Sequence, residues 1–153
     1  MATLHGRCHC GELEWTVTAD SLKLPSHTLC HCRSCKILGG GEFCGILLTS
    51  ICAVRIQRGN PKVYTYTDPE NGHVIHCTYC SNCTTHAYHR DEERGDEIQL
   101  RTFPLLEARI MDVENEINVA EKFSWVKKVD GATNFRTWIP AVKRGQHGIT
   151  DMI

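Results

Sequence analysis

The chain has 153 residues, 41% of them hydrophobic and 23% charged, and a formal net charge of −1. That length fits one domain with an apolar core of its own. The near-neutral charge gives no general attraction to nucleic acid or acidic membranes, and the longest apolar runs, such as Ile46 to Leu48, are far too short to span a bilayer.

The N-terminus, Met1-Ala2-Thr3-Leu4-His5, has no basic region followed by an apolar stretch. No signal peptide is therefore expected, and the chain reads as cytoplasmic. Leu13, Trp15 and Val17 alternate with Glu14, Thr16 and Thr18, the pattern of a half-buried strand. Lys36 to Leu38 suits one helical turn. After the Gly39-Gly40-Gly41 breaker, Phe43 to Leu48 reads as a short apolar strand. Val54-Arg55-Ile56 and Lys62 to Thr67 are strand candidates separated by the Gly59-Asn60-Pro61 turn. Asp68-Pro69-Glu70-Asn71-Gly72 marks a second turn. Short strands are expected at His73 to His76, Thr85 to Tyr88, Ile98-Gln99-Leu100 and Ile117-Asn118-Val119. Leu105 to Val113 has some helical spacing, and Arg136 to Ile153 loses periodicity, as a surface-packed tail would. Many short strands with frequent turns predict a mainly β fold.

Ten cysteines without a secretion signal favour metal binding, with a disulfide framework as the alternative. Seven of the ten fall in three clusters: Cys8-His9-Cys10, Cys30-His31-Cys32-Arg33-Ser34-Cys35 and Cys80-Ser81-Asn82-Cys83. Two closed tetrahedral zinc sites would need eight thiolates, so one four-thiolate site and one three-thiolate site with an open position fit better. Short spacings keep each chelate ring small, which limits the entropy lost on closure. Cys8-x-Cys10 needs a turn, because alternate residues on a strand point to opposite faces; Gly6 and Gly11 flank it and can supply one. A zinc held by three thiolates is formally anionic and activates water weakly, so a thiol, carbonyl or hydroxyl is the better guest. Arg33 and Lys36 lie beside the middle cluster, either offsetting its charge and holding an anionic substrate or simply solvated.

At these residues the chain resembles the glutathione-dependent formaldehyde-activating enzyme family, which includes centromere protein V-like domains. The matching pieces are Gly6-Arg7-Cys8-His9-Cys10-Gly11, Cys30-His31-Cys32-Arg33-Ser34-Cys35-Lys36 and Tyr79-Cys80-Ser81-Asn82-Cys83-Thr84-Thr85. The likeness extends to Phe123-Ser124-Trp125, Asp130-Gly131 and about Phe135. It implies small zinc-stabilised β-sheets packed as a single sandwich or tent-like domain over residues 1–135, with a C-terminal tail over 136–153. It also implies two zinc ions per chain. Cys8, Cys10, Cys80 and Cys83 would hold a structural one, and Cys30, Cys32 and Cys35 a substrate-facing one with an open position. The chain departs from the family pattern at Thr84, where the family usually has glycine; its loss is expected to alter the backbone behind the structural site. Cys77 forms a second Cys-x-x-Cys with Cys80, so a shifted ligand pair stays open. Gly39 to Cys44 is individual to this chain, and in the family that region lines the pocket.

Other residues admit weaker readings. Cys44 and Cys52 are expected to be buried and inert. His9 and His31, between ligands, either bond to the ligand loops or face solvent. One of His76, His86 and His89 is a candidate proton shuttle, though none is favoured. Trp125 either walls the pocket or packs. Asp112, Glu114 and Glu116 read as a solvated face.

The resemblance implies a zinc-dependent carbon–sulfur lyase acting on a small molecule, such as the glutathione adduct of an aldehyde. The alternatives are elimination or rearrangement of a larger carbonyl or imine compound on the same site, and a non-enzymatic zinc-stabilised binding module. No nucleic-acid or membrane partner is expected, and the oligomeric state is open.

Overall fold

The computed structural model describes residues 2–19 and 24–139. Its chain divides into two compact units, one of Met1–Pro25 and Ile46–Met111, the other of Ser26–Gly45 and Asp112–Ile153. The fold is mainly β, as the short alternating segments predict.

In the first unit, β1 (Ala2–Arg7), β2 (Glu14–Ala19) and β5 (Val54–Arg58) form an antiparallel three-stranded sheet in the order β1-β2-β5. The remaining strands of this unit are β4 (Cys44–Ser50), β6 (Lys62–Thr67), β7 (Val74–Tyr79), β8 (His86–Asp91) and β9 (Glu97–Arg101). From Ile46 onward β4 pairs with β9, and the order continues antiparallel through β8 and β7 to β6. The Gly59-Asn60-Pro61 turn hands the chain from one sheet to the other, and the Asp68–Gly72 turn closes the β6–β7 hairpin.

Trp15 and Val17 are each 1% exposed, so the alternation in β2 reports a real inward face. They pack in a core with Leu4, Val54, Ile98, Leu100, Leu105 and Met111. Gly6 sits opposite Trp15 in register, where an added Cβ would lie 2.0 Å from the indole ring. Its role is clearance for that ring. The turn between β1 and β2 belongs to Gly11, whose φ is +79°.

In the second unit, β3 (His27–Cys30), β10 (Val113–Ile117) and β11 (Thr133–Asn134) pair in parallel, with β10 in the middle. Helix α1 (Arg33–Gly39) follows β3 almost at once. It is longer than the single turn expected and begins inside the cysteine cluster. Leu29, Ile117, Ala132 and Phe135 are buried here.

Two expected elements differ. Leu105 to Val113 holds only one 3-10 turn, Ala108–Ile110, before β10 begins. The Leu106 N–H is drawn to His5 O at 2.8 Å, which removes it from any helical ladder. The strand expected at Ile117-Asn118-Val119 ends at Ile117, because Asn118 turns left-handed and a 3-10 turn follows at Val119–Glu121. Backbone bonds from Val119 and Ala120 to Phe135 O and Arg136 O, and from Asn118 to Thr137 O, tie residues 135–137 to this turn. The expected tail lies outside the described residues from 140 on. Among the described residues no helix is long and apolar enough to cross a membrane.

Candidate metal centres

The first centre is built from two turns. Cys8 and Cys10 lie between β1 and β2, where the Cys8 N–H bonds to Leu13 O and the Gly11 N–H to Cys8 O, each at 3.0 Å. This turn removes the alternate-face problem of a strand. Cys80 and Cys83 lie between β7 and β8, where Cys80 N–H bonds to Thr85 O at 2.9 Å and Thr84 N–H to Cys80 O at 3.1 Å. The four Sγ atoms fall within 4.8 Å of one another. Cys77, by contrast, is buried on β7 and its sulfur stands outside this group.

The surroundings suit thiolates. Leu13 N–H donates to Cys8 Sγ at 3.1 Å. Burial disfavours the Cys8 thiolate, but that amide and the neighbouring Cys10 and Cys80 thiols bring its pKa below the usual value. Burial likewise opposes ionisation of Cys83, yet the Thr85 hydroxyl at 3.2 Å and backbone N–H groups bring it down to about 5. Cys80 is held up at about 11 by burial, against donation from the Cys83 and Asn82 amides. The surroundings thus favour the thiolate at Cys8 and Cys83, and a bound dication would favour it further in its ligands.

Thr84 has φ +61° within this turn. Thr84, standing where the family usually has glycine, thus takes the left-handed conformation that favours glycine. A non-glycine residue there costs roughly 1–2 kcal/mol, and a β-branched one is especially unusual.

The middle cluster spans a strand end and a helix start. Cys30 closes β3, and Cys32 is the N-cap of α1, its sulfur accepting from Cys35 N–H at 3.4 Å. This is the capping position normally filled by Ser, Thr, Asp or Asn, three residues ahead of the donor. The C-x-x-C spacing therefore matches one helical start and brings Cys32 and Cys35 together. All three sulfurs lie within 4.8 Å of one another. Contacts with the Cys32, Cys35 and Cys44 thiols, together with burial, hold Cys30 well above its usual pKa. At Cys32 the bond with Cys30 favours the thiolate, but Cys35 and burial outweigh it and push the thiol up to about 12. The surroundings thus disfavour the thiolate at Cys30 and Cys32, an effect that a bound cation would oppose.

The cluster is held from behind. Cys30 pairs with Ile117 across β3 and β10, and His31 N–H bonds to Ile117 O at 3.1 Å. His31 is fully buried, and its Nε2 lies 2.9 Å from Glu116 Oε1. Glu116 also accepts from Lys122 Nζ at 2.6 Å and Val129 N–H at 3.0 Å. Burial opposes its charge, but these donors keep its pKa below the usual carboxylate value. Burial lowers the His31 pKa against the pull of Glu116. Asn118 Nδ2 donates to Cys30 Sγ at 3.3 Å, from a backbone with φ +55° and ψ +39°.

Several expected residues stand elsewhere. Glu116 was read with Asp112 and Glu114 as a solvated face, but it is 0% exposed. A register shift falls between Val113 and Asn115, and beyond it the adjacent Glu116 and Ile117 are both 0% exposed, so both faces of β10 are covered there. Cys52 is exposed rather than buried, because it sits in the 3-10 turn after β4. Cys44 is buried as expected, beside Cys30. Lys36 Nζ bonds to Glu121 O and lies 4.3 Å from the Phe123 ring centroid, so it is engaged within the unit; Arg33 is exposed. Trp125 is 66% exposed, stacked on Phe123 at 4.6 Å, with Nε1 donating to Glu42 Oε1 at 2.8 Å. It is therefore not an interior packing residue. His9 is exposed; His76 is bonded to Thr65 and Glu92, and His86 and His89 stand together beside Arg101, all in the first unit.

The family model for the glutathione-dependent formaldehyde-activating enzyme matches residues 3–123. No curated protein matches the chain by sequence. The crystal structure of a Rhodobacter sphaeroides protein superposes with TM-score 0.51 at 20% identity, over 67% of this chain and 87% of that one. At that identity the likeness concerns the fold.

Proposed function

The chain belongs to the glutathione-dependent formaldehyde-activating enzyme family, and from that premise we propose that it is a zinc-dependent enzyme of carbon–sulfur lyase type. Its substrate would be the adduct of a thiol such as glutathione with an aldehyde or related carbonyl compound. We read residues 1–135 as the domain that carries this activity. Reduced thiols are required, so the reading favours a reducing compartment such as the cytoplasm.

The observation that carries the reading is the division of seven clustered sulfurs into four and three. Cys8, Cys10, Cys80 and Cys83 would hold a structural zinc. Cys30, Cys32 and Cys35 would hold the second. Zinc in the middle cluster would supply a Lewis-acid position, one protein donor short of four, for a thiolate or carbonyl oxygen.

The chain's own residues supply orientation. The His31–Glu116 contact fixes the loop between Cys30 and Cys32, and the N-cap bond of Cys32 fixes the start of α1. Arg33, exposed on the first turn of that helix, offers a cation for a substrate carboxylate. In the joining direction the S–C bond forms and the thiol proton ends on the former carbonyl oxygen. This addition also proceeds without a catalyst, so holding the two partners together accounts for much of any acceleration.

The test pairs metal analysis with turnover of glutathione and formaldehyde. Two zinc ions per chain are expected, and Cys32→Ser should lose one of them together with activity while the fold persists. Full activity in Cys32→Ser, or a single zinc in the wild type, would overturn the reading.

A further inference from the structure

The side chain of Asn118 is in an unusual place. Its backbone is left-handed, with φ +55° and ψ +39°, a conformation that glycine adopts freely, asparagine tolerates and most other residues rarely enter. The backbone at this point is fully engaged: its N–H bonds to Thr137 O at 2.9 Å, and its carbonyl accepts from Glu121 N–H at 3.0 Å. Glycine would keep both bonds. What asparagine adds is the bond from Nδ2 to Cys30 Sγ at 3.3 Å.

That bond has counterparts. Leu13 N–H donates to Cys8 Sγ, and Cys35 N–H to Cys32 Sγ. At Cys30, the last residue of β3, a side chain performs the task. Parallel pairing of Ile117 with Cys30 sets Asn118 one residue beyond that pair, and the left-handed turn sends the chain away while its amide meets the sulfur. A sulfur bound to a metal keeps lone pairs that accept such donation, and groups of this kind orient metal ligands.

We propose that Asn118 is a positioning residue of the middle metal centre, its left-handed backbone aiming the side-chain amide at the Cys30 sulfur and fixing it. The proposal rests on the reading of Cys30, Cys32 and Cys35 as metal ligands.

The test is cobalt(II) titration of the full chain, followed by sulfur-to-metal charge-transfer absorption and by competition with a chelator. Wild type and Asn118→Gly should both take up two ions. The glycine variant should release one of them about 10- to 100-fold more readily, with a shifted absorption band, while the other ion behaves as in wild type. Asn118→Asp removes the donor while keeping a residue tolerant of the turn; it should act alike and carries the test if glycine loosens the segment. Unchanged affinity and spectrum for both ions in these variants would overturn the role of Asn118 alone. A wild-type chain that binds one ion, lost on Cys83→Ser, would overturn the metal reading of the middle cluster as well.

Discussion

His31 Nε2 lies 2.9 Å from Glu116 Oε1, and neither side chain has exposed surface. The pair joins the loop between two candidate ligands to strand β10, and Lys122 Nζ reaches the same carboxylate oxygen at 2.6 Å. Removing the carboxylate would leave a partly buried ammonium and a buried imidazole without their partner. Glu116→Ala is therefore expected to destabilise the protein by about 3–5 kcal/mol. Urea unfolding of wild type and variant checks this; a loss under about 1 kcal/mol, the level of an exposed pair, would contradict it.

Thr84 should respond in the opposite direction. Its φ of +61° is costly for a β-branched residue. Thr84→Gly removes that strain but adds freedom to the unfolded chain, leaving a net gain of about 1 kcal/mol. For a chain of this size that is a rise of about 2–4 °C in Tm. Calorimetry with both centres loaded would show it; a lower Tm would mean that the threonine side chain contributes more than its backbone costs.

Thiol chemistry gives a third expectation. Cys52 is exposed and outside both clusters, while Cys44 and Cys77 are buried. A metal-loaded chain should show one fast-reacting thiol toward an aromatic disulfide reagent, absent in Cys52→Ser. Chelation should expose the clustered cysteines and raise the reactive count sharply. If the count is the same before and after chelation, the clusters do not protect their sulfurs with a metal.

Acid should weaken one surface anchor. Burial alone would raise the Glu107 pKa, but the His5 backbone N–H at 3.0 Å and ring at 2.8 Å hold it below the usual value. A carboxylate depressed on folding contributes stability above its unfolded pKa of about 4.3, and that contribution is lost as pH falls through the folded value. Glu107→Gln should thus lower Tm at pH 7 and make little difference near the bottom of the acid range. A gap between the two proteins that stays constant with pH would contradict this.

Much of this molecule was legible in one dimension. The alternation of Leu13, Trp15 and Val17 marked β2 because a half-buried strand has a strict period of two. Lys62 to Thr67 matched β6 because its turns carry their own signals on both sides. The three clusters were visible because metal-binding cysteines close small rings, so their spacing is local even when the pairs are seventy residues apart. The family likeness rests on the same spacing.

What remained hidden is non-local. Glu116 and Ile117 are adjacent and both buried, and alternation in the sequence gives no sign of it because the cover on the two faces of β10 comes from distant segments. The asparagine at 118 is a residue type that tolerates a left-handed turn, a faint signal, but its sulfur partner lies 88 positions away. Composition and spacing determined which sulfurs are clustered along the chain, since that depends on residue identity and short-range closure. Only the tertiary structure decided what stands behind those sulfurs, because strand register and buried hydrogen bonds are set by segments distant in sequence.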